Sequence, residues 1–337
     1  MKTKDKLYSV VLASSTLILL LILVSSTVTA ATLKSAPSTG PFAYITNDFN
    51  NTVTVIDTET NTVKATLNVG DHPYGVAINQ AGTKVYVTDV WSNSVSVIDT
   101  ATNTIASTVK VGSQPYGIAV SPDGTKVYVA NTDNDTVSVI DTATNNVTSV
   151  NVRYNPTGIE VNSDGTKVYV ANSGSNTVSV IDTITNNVTD TVNVGNLPLG
   201  VAVNPNGTKI YVANEGSNTV SVIDTVTNNV TDTVKVGSSP LGVTANPDGT
   251  KVYVANEGSN TVSVIDTVTN TVIATVNVGS SPLGIAVNPD GTKVYVTNFY
   301  SNTVSVIDTV TNTVTNTVPV GSSPVAFGRF IVPPNIM

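Results

Sequence analysis

Downstream of residue 41 the chain repeats one pattern of short, alternating runs. In Thr261-Val262-Ser263-Val264-Ile265-Asp266, hydroxyl and aliphatic side chains alternate with period two, the period of a β-strand. A run centred on a tyrosine, Val252-Tyr253-Val254-Ala255-Asn256, precedes it. Two more runs follow, Ala274-Thr275-Val276-Asn277-Val278-Gly279 and Leu283-Gly284-Ile285-Ala286-Val287. Turn residues separate them. Asn288-Pro289-Asp290-Gly291-Thr292 offers a proline with preset φ and a glycine free to take positive φ, Asp266-Thr267-Val268-Thr269-Asn270 offers side-chain acceptors, and Ser280-Ser281-Pro282 punctuates the step to the next unit.

Aligning the chain on Tyr44, Tyr86, Tyr128, Tyr169, Tyr211, Tyr253 and Tyr295 gives seven units of about 42 residues. Four strands per unit is the content of a propeller blade. The β-branched residues on both strand faces need a neighbour on each side, which a lone blade lacks. The predicted fold is all-β, a seven-bladed β-propeller of four-stranded antiparallel blades spanning 42–331. Its first unit starts at Phe42-Ala43-Tyr44-Ile45-Thr46 with no innermost strand before it, whereas the chain ends in an innermost-strand-like piece, Val325-Ala326-Phe327-Gly328-Arg329-Phe330-Ile331. The last strand is therefore expected to complete the first blade and remove two open sheet edges.

The N-terminus reads differently. Lys2, Lys4 and Lys6 precede the apolar run Val10 to Val24, and Val28-Thr29-Ala30 supplies small residues, the order of a secretory signal peptide over 1–30; an uncleaved membrane anchor is the alternative. Residues 31–41 read as a linker and 332–337 as a tail. Secretion or display at the cell surface follows, with membrane contact only through the N-terminal segment if retained. The net charge is -8 without any lysine or arginine cluster, so nucleic acid is not an expected partner. With no cysteine, disulfides and thiolate chemistry are excluded, and stability must come from a large core. An exported chain could carry glycan at six N-x-S/T triplets, Asn50, Asn134, Asn146, Asn187, Asn206 and Asn229, although a repeat rich in asparagine and threonine also produces such triplets by chance.

The runs Tyr295-Val296-Thr297-Asn298, Tyr253-Val254-Ala255-Asn256, Val264-Ile265-Asp266-Thr267 and Asn288-Pro289-Asp290-Gly291 resemble the YVTN-type β-propeller repeat of archaeal and bacterial cell-surface proteins, surface-layer proteins of methanogenic archaea among them. The resemblance covers 42 to about 331. It implies an extracellular ring used for surface coating, adhesion or recognition, with a cell-surface protein or glycan as partner.

Few residues that carry chemistry interrupt the repeat. His72 is the only histidine, so a multi-histidine metal cage is excluded and a Ser-His-Asp triad has one available centre; its place before Pro73 reads as a loop role. No cofactor or metal is expected, and no catalytic residue is assigned. Asp57, Asp99, Asp141, Asp182, Asp224, Asp266 and Asp308 recur once per unit, which reads as one turn-forming job done seven times. The loops of one face do vary. Between the second and third strands, units one, two and seven carry Phe49, Trp91 and the pair Phe299 and Tyr300, where units four to six carry Ser-Gly-Ser or Glu-Gly-Ser. The inter-unit loops of that face add His72, Tyr74, Tyr116 and Tyr154. Exposed rings at these positions would form a recognition face for protein or glycan; buried ones would seal the closure seam. The leading expectation is a non-catalytic binding protein. Two alternatives stand beside it. One is a lactonase-like propeller enzyme, a type this repeat resembles distantly, for which Glu160 is the best channel candidate, since equivalent positions carry Ala77, Ala119, Ala202 and Thr244. The other is a structural lattice protein.

Overall fold

The structure is a computed structural model and describes residues 41–332. The expected signal peptide over 1–30, all but the last residue of the expected linker, and 333–337 lie outside the described residues. Seven sheets follow one another around a ring. Blade 4 is representative: Pro156–Val161 lies innermost, followed outward by Lys167–Asn172, Thr177–Asp182 and Asn187–Asn193, all antiparallel. The outer strands begin earlier than the aliphatic pattern suggests. That of blade 6 starts at Thr271 rather than Ala274, because Thr271, the half-buried Val272 and the exposed Ile273 continue the ladder towards the turn.

Five of the seven interfaces between neighbouring blades are separate apolar clusters, and the two that flank blade 1 merge into one. Tyr169, Ala171, Val178 and Val180 of blade 4 pack on Val201, Val203, Ile210 and Val212 of blade 5, which is why both faces of each strand carry β-branched residues. Lysines stitch the same interfaces. The Nζ atoms of Lys126, Lys167, Lys209 and Lys251 donate to the carbonyls of Thr183, Thr225, Thr267 and Thr309 in the next blade at 2.6 to 3.1 Å. Lys293 of blade 7 repeats the contact to Thr58 of blade 1 at 3.1 Å, and Tyr295 donates its hydroxyl to the same carbonyl. The ring thus closes through the contact used between consecutive blades.

The turns behave as their residues require. Gly291 takes φ of +74 in the Asn-Pro-Asp-Gly turn, and Asn270 takes φ of 51 before the outer strand. Asp266 Oδ1 accepts from the N–H of Val268 and from the N–H and hydroxyl of Thr269, and these bonds, the Thr269 N–H foremost, hold its carboxyl below the usual range. The recurring aspartates are turn acceptors.

Closure by the C-terminal segment is present, in a modified form. Blade 1 supplies Phe42–Asn47, Thr52–Asp57 and Thr62–Asn68, and the segment 324–332 lies along the first of these. Pro324 bridges Asn47 and Ile331 bridges Ala43, both antiparallel. Val325 donates to Thr46, Tyr44 to Phe330, and Val332 to Phe42, at 2.7 to 2.9 Å. Between these anchor points Phe327 and Gly328 leave blade 1 and pair in parallel with Gly75 and Val76 of blade 2. A regular innermost strand crosses the same stretch with two fewer residues, as Pro282 to Val287 does against Asn298 to Val294. The two extra residues push this segment into the central channel. The seam has the most extensive apolar cluster of the described residues, joining blades 7, 1 and 2 to Ala326, Phe330, Ile331 and Val332.

Candidate functional site: an aromatic face and a blind channel

Loops from second to third strand and from each outer strand to the next blade emerge together on one face of the ring. Ring closure makes blades 7, 1 and 2 neighbours, and their loop aromatics meet in one continuous row. Tyr300 lies 5.1 Å from Phe299, Phe299 5.9 Å from Phe49, Phe49 5.9 Å from His72, and His72 3.8 Å from Trp91. Most of these contacts are edge-to-face, the arrangement that aromatic quadrupoles favour. His72 and Phe299 are half-buried and act as the foundation of the row. Trp91 and Tyr300 are 71% and 73% exposed and Phe49 is 63% exposed, so these rings do not seal the seam. The exposed faces are available to a partner.

Local bonds fix the row. His72 Nδ1 lies 2.9 Å from Asp48 Oδ1, and the His72 N–H donates to Asn51 Oδ1 at 3.0 Å. Burial pushes the Asp48 carboxyl up, opposed by its hydrogen bond to His72. Below Trp91, Asp89 occupies a place that the other six blades give to asparagine. In blade 6, for example, Asn256 donates to Thr261 and Ser263. Asp89 instead accepts from Ser94, Ser96 and the Gly70 N–H, and burial pushes its carboxyl up to about 6 against those bonds.

The remaining sequence-predicted residues fall elsewhere. Tyr74 and Tyr116 pack 4.7 Å apart, and Tyr74 also meets Phe327 at 5.9 Å. Tyr74 joins Leu199, Leu241, Leu283, Val325 and Phe327 in an apolar stopper at the aromatic end of the channel, bordered by Phe299, and Tyr116 packs on Tyr74, so neither tyrosine is part of the exposed row. Tyr154 is 68% exposed in the loop entering blade 4 and touches no other ring. The six sequon asparagines are all exposed; Asn50 and Asn134 accept from the N–H groups of Ser322 and Ser113, and Asn206 from Thr208.

Beneath the stopper the channel holds a cavity of about 900 Å³. Its mouth is on the opposite face, among the exposed turn residues Gln80, Ala81, Ser163 and Pro205 and the half-buried Pro122. Ala77, Ala119, Ala202, Thr244 and Ala286 line it, and blade 4 contributes Glu160. Glu160 Oε1 pairs with Arg329 Nη2 of the closing segment at 3.0 Å. Sequence reasoning singled out Glu160 and missed Arg329, because the two-residue excursion that carries it has no counterpart in the repeat. Among the described residues, no three histidine, cysteine, aspartate or glutamate side chains group in a way that could hold a metal ion, and no helix is long and apolar enough to cross a membrane.

This ring matches known proteins through its repeat. The sequence model of the family described as lactonase, seven-bladed β-propeller, matches residues 100–198, 140–241 and 201–319, together more than half of the chain. The chain belongs to that family. It is similar to a hydrazine synthase structure from Kuenenia stuttgartiensis, with 25% identity, 74% of this chain and 87% of that chain covered, and a TM-score of 0.69. A functionally unknown protein from Desulfotomaculum acetoxidans DSM 771 is similar in fold alone, with 17% identity, 85% and 99% covered, and a TM-score of 0.73. No curated protein matches the sequence.

Proposed function

We propose that the protein is an extracellular recognition propeller whose aromatic face on blades 7, 1 and 2 binds a cell-surface protein or glycan. The observation that carries this reading is the continuous row from Tyr300 to Trp91, with its outer rings left in solvent and its inner rings packed as support. Rigid aromatics offer large contact area at little entropic cost, and stacking faces suit sugars as well as protein side chains. The export pattern of the N-terminus and the YVTN-type resemblance support a place outside the cell.

Glycan arrays and envelope pull-downs with the full chain test the reading. Trp91→Ala and Tyr300→Ala are each expected to weaken the captured partner by about 1 to 3 kcal/mol. Stability should move by no more than about 0.5 kcal/mol, because both are loop-tip residues outside a core. Glu215→Ala, on the same face across the ring, should change neither. Early unfolding of the aromatic variants with intact binding by the folded fraction would make the row a packing device and sink the proposal.

Family membership favours a second reading, lactone hydrolysis in the channel, with Glu160 as its acid. It requires that the purified chain open lactones and that Glu160→Gln abolish the activity.

A further inference from the structure

Two independent departures from the repeat meet in the channel. At the level where five other innermost strands place alanine or threonine, blade 4 places Glu160. At the same level the closing segment makes its two-residue excursion and delivers Arg329. A strand that merely completed blade 1 would need neither. Glu160 is 13% exposed and held against the wall, whereas the Arg329 side chain is 67% exposed to the cavity. Arg329 makes one ion pair, through Nη2, and its guanidinium donates to no other described residue. A guanidinium carries five N–H donors in a planar fork, so most of its donors face open space.

We propose that this channel is a binding site for a small organic carboxylate with an apolar body. The carboxylate meets the free edge of the Arg329 guanidinium, the geometry that favours two parallel N–H···O bonds. The body lies along the alanine wall formed by Ala77, Ala119, Ala202 and Ala286, below the apolar stopper. The cavity, about 900 Å³, falls in the size range of small-molecule sites, which are mostly apolar with a few placed polar groups. Glu160 orients the guanidinium. It also brings a second carboxylate close to the first, and burial already pushes the Glu160 carboxyl up against the pull of Arg329. Occupation therefore favours uptake of a proton by Glu160, and binding tightens as the pH falls. The aspartates of the mouth turns, Asp123, Asp164, Asp248 and Asp290, are held ionised by their turn bonds and do not share this proton.

The probe is 4-bromobenzoate, with 4-bromobenzamide as its neutral match, titrated into the full chain by calorimetry and soaked into crystals. Saturable binding of the acid is expected, at least tenfold tighter than that of the amide, with bromine density in the channel and net proton uptake when buffers of different ionisation enthalpy are compared. Arg329→Gln should cost tenfold or more. Glu160→Gln keeps the guanidinium and removes its competitor, so it should bind as tightly or tighter and lose the pH dependence. The Glu160 variant keeps the test decisive if Arg329→Gln fails to fold. Absence of binding, equal affinity for acid and amide, unchanged affinity in a folded Arg329→Gln protein, or binding at crystal concentration only would overturn the proposal and leave the pair as a closure latch. The same Glu160→Gln variant separates this site from lactone hydrolysis, which it would abolish, and neither result bears on the aromatic face.

Discussion

A chain ending at Pro324 is expected to melt about 10 °C or more below the intact protein, without a separate early transition for blade 1. The segment it lacks places Val325, Ala326 and Phe330 at full burial, with Phe327, Ile331 and Val332 nearly so. Phe330 alone, replaced by alanine, should cost about 3 to 5 kcal/mol, the range for a large aromatic removed from a core. Truncation adds the loss of the backbone bonds to Phe42, Tyr44 and Thr46 and opens the edge of blade 1. The seam cluster joins blades 7, 1 and 2, so its loss is felt by the ring as a whole and not by one end. Phe330→Ala is the gentler version, and calorimetry on both variants is the check. A truncated protein melting within a degree or two of the intact one would show that Lys293, Tyr295 and their bonds to Thr58 close the ring unaided.

Asp89→Asn is expected to stabilise the protein at neutral pH, by about 1 to 3 kcal/mol, one pKa unit being worth about 1.4 kcal/mol. An unfolded aspartate titrates near 3.9, whereas burial lifts folded Asp89 to about 6. Between those values the folded state holds the extra proton, so the stability contributed by protonated Asp89 is full below about pH 4 and is lost as pH rises through about 6. Asparagine carries no such cost, and six blades already use it here, donating to hydroxyls like those of Ser94 and Ser96. The advantage of the variant should therefore be largest at pH 7 and shrink towards pH 4. Urea unfolding of both proteins at the two pH values measures it. A variant less stable than the parent at pH 7 would mean that the bond from the Gly70 N–H outweighs the burial of charge.

Much of the fold is legible in the sequence because one pattern recurs seven times. The period-two runs, the Asn-Pro-Asp-Gly turns and the phase offset between Phe42 and Ile331 are enough to place the blades and their closure, and closure in turn makes Phe49, Trp91, Phe299 and Tyr300 neighbours. What escapes is whatever departs from the period. The excursion at Phe327 to Arg329 has no second copy against which to be recognised, and with it go the partner of Glu160 and the stopper. Tyr74 and Tyr116 look like the loop aromatics in sequence, yet each follows a strand-opening proline whose neighbours turn inward, so they stand over the channel. Asp89 was within reach, since Val87-Thr88-Asp89 breaks the asparagine of every other unit, but only the serine partners and burial give that change an energetic meaning.

The central claim, that the aromatic face is the binding face, has a built-in reporter, because Trp91 is the only tryptophan in the chain. All tryptophan emission therefore comes from the middle of that face, from an indole that is 71% exposed. Titrating the full chain with a glycan or envelope protein captured in the binding screens should shift the Trp91 emission to the blue and protect it from iodide quenching, both saturating at the independently measured affinity. Saturating binding that leaves the emission and the quenching of Trp91 unchanged would place the partner elsewhere on the ring and contradict the account.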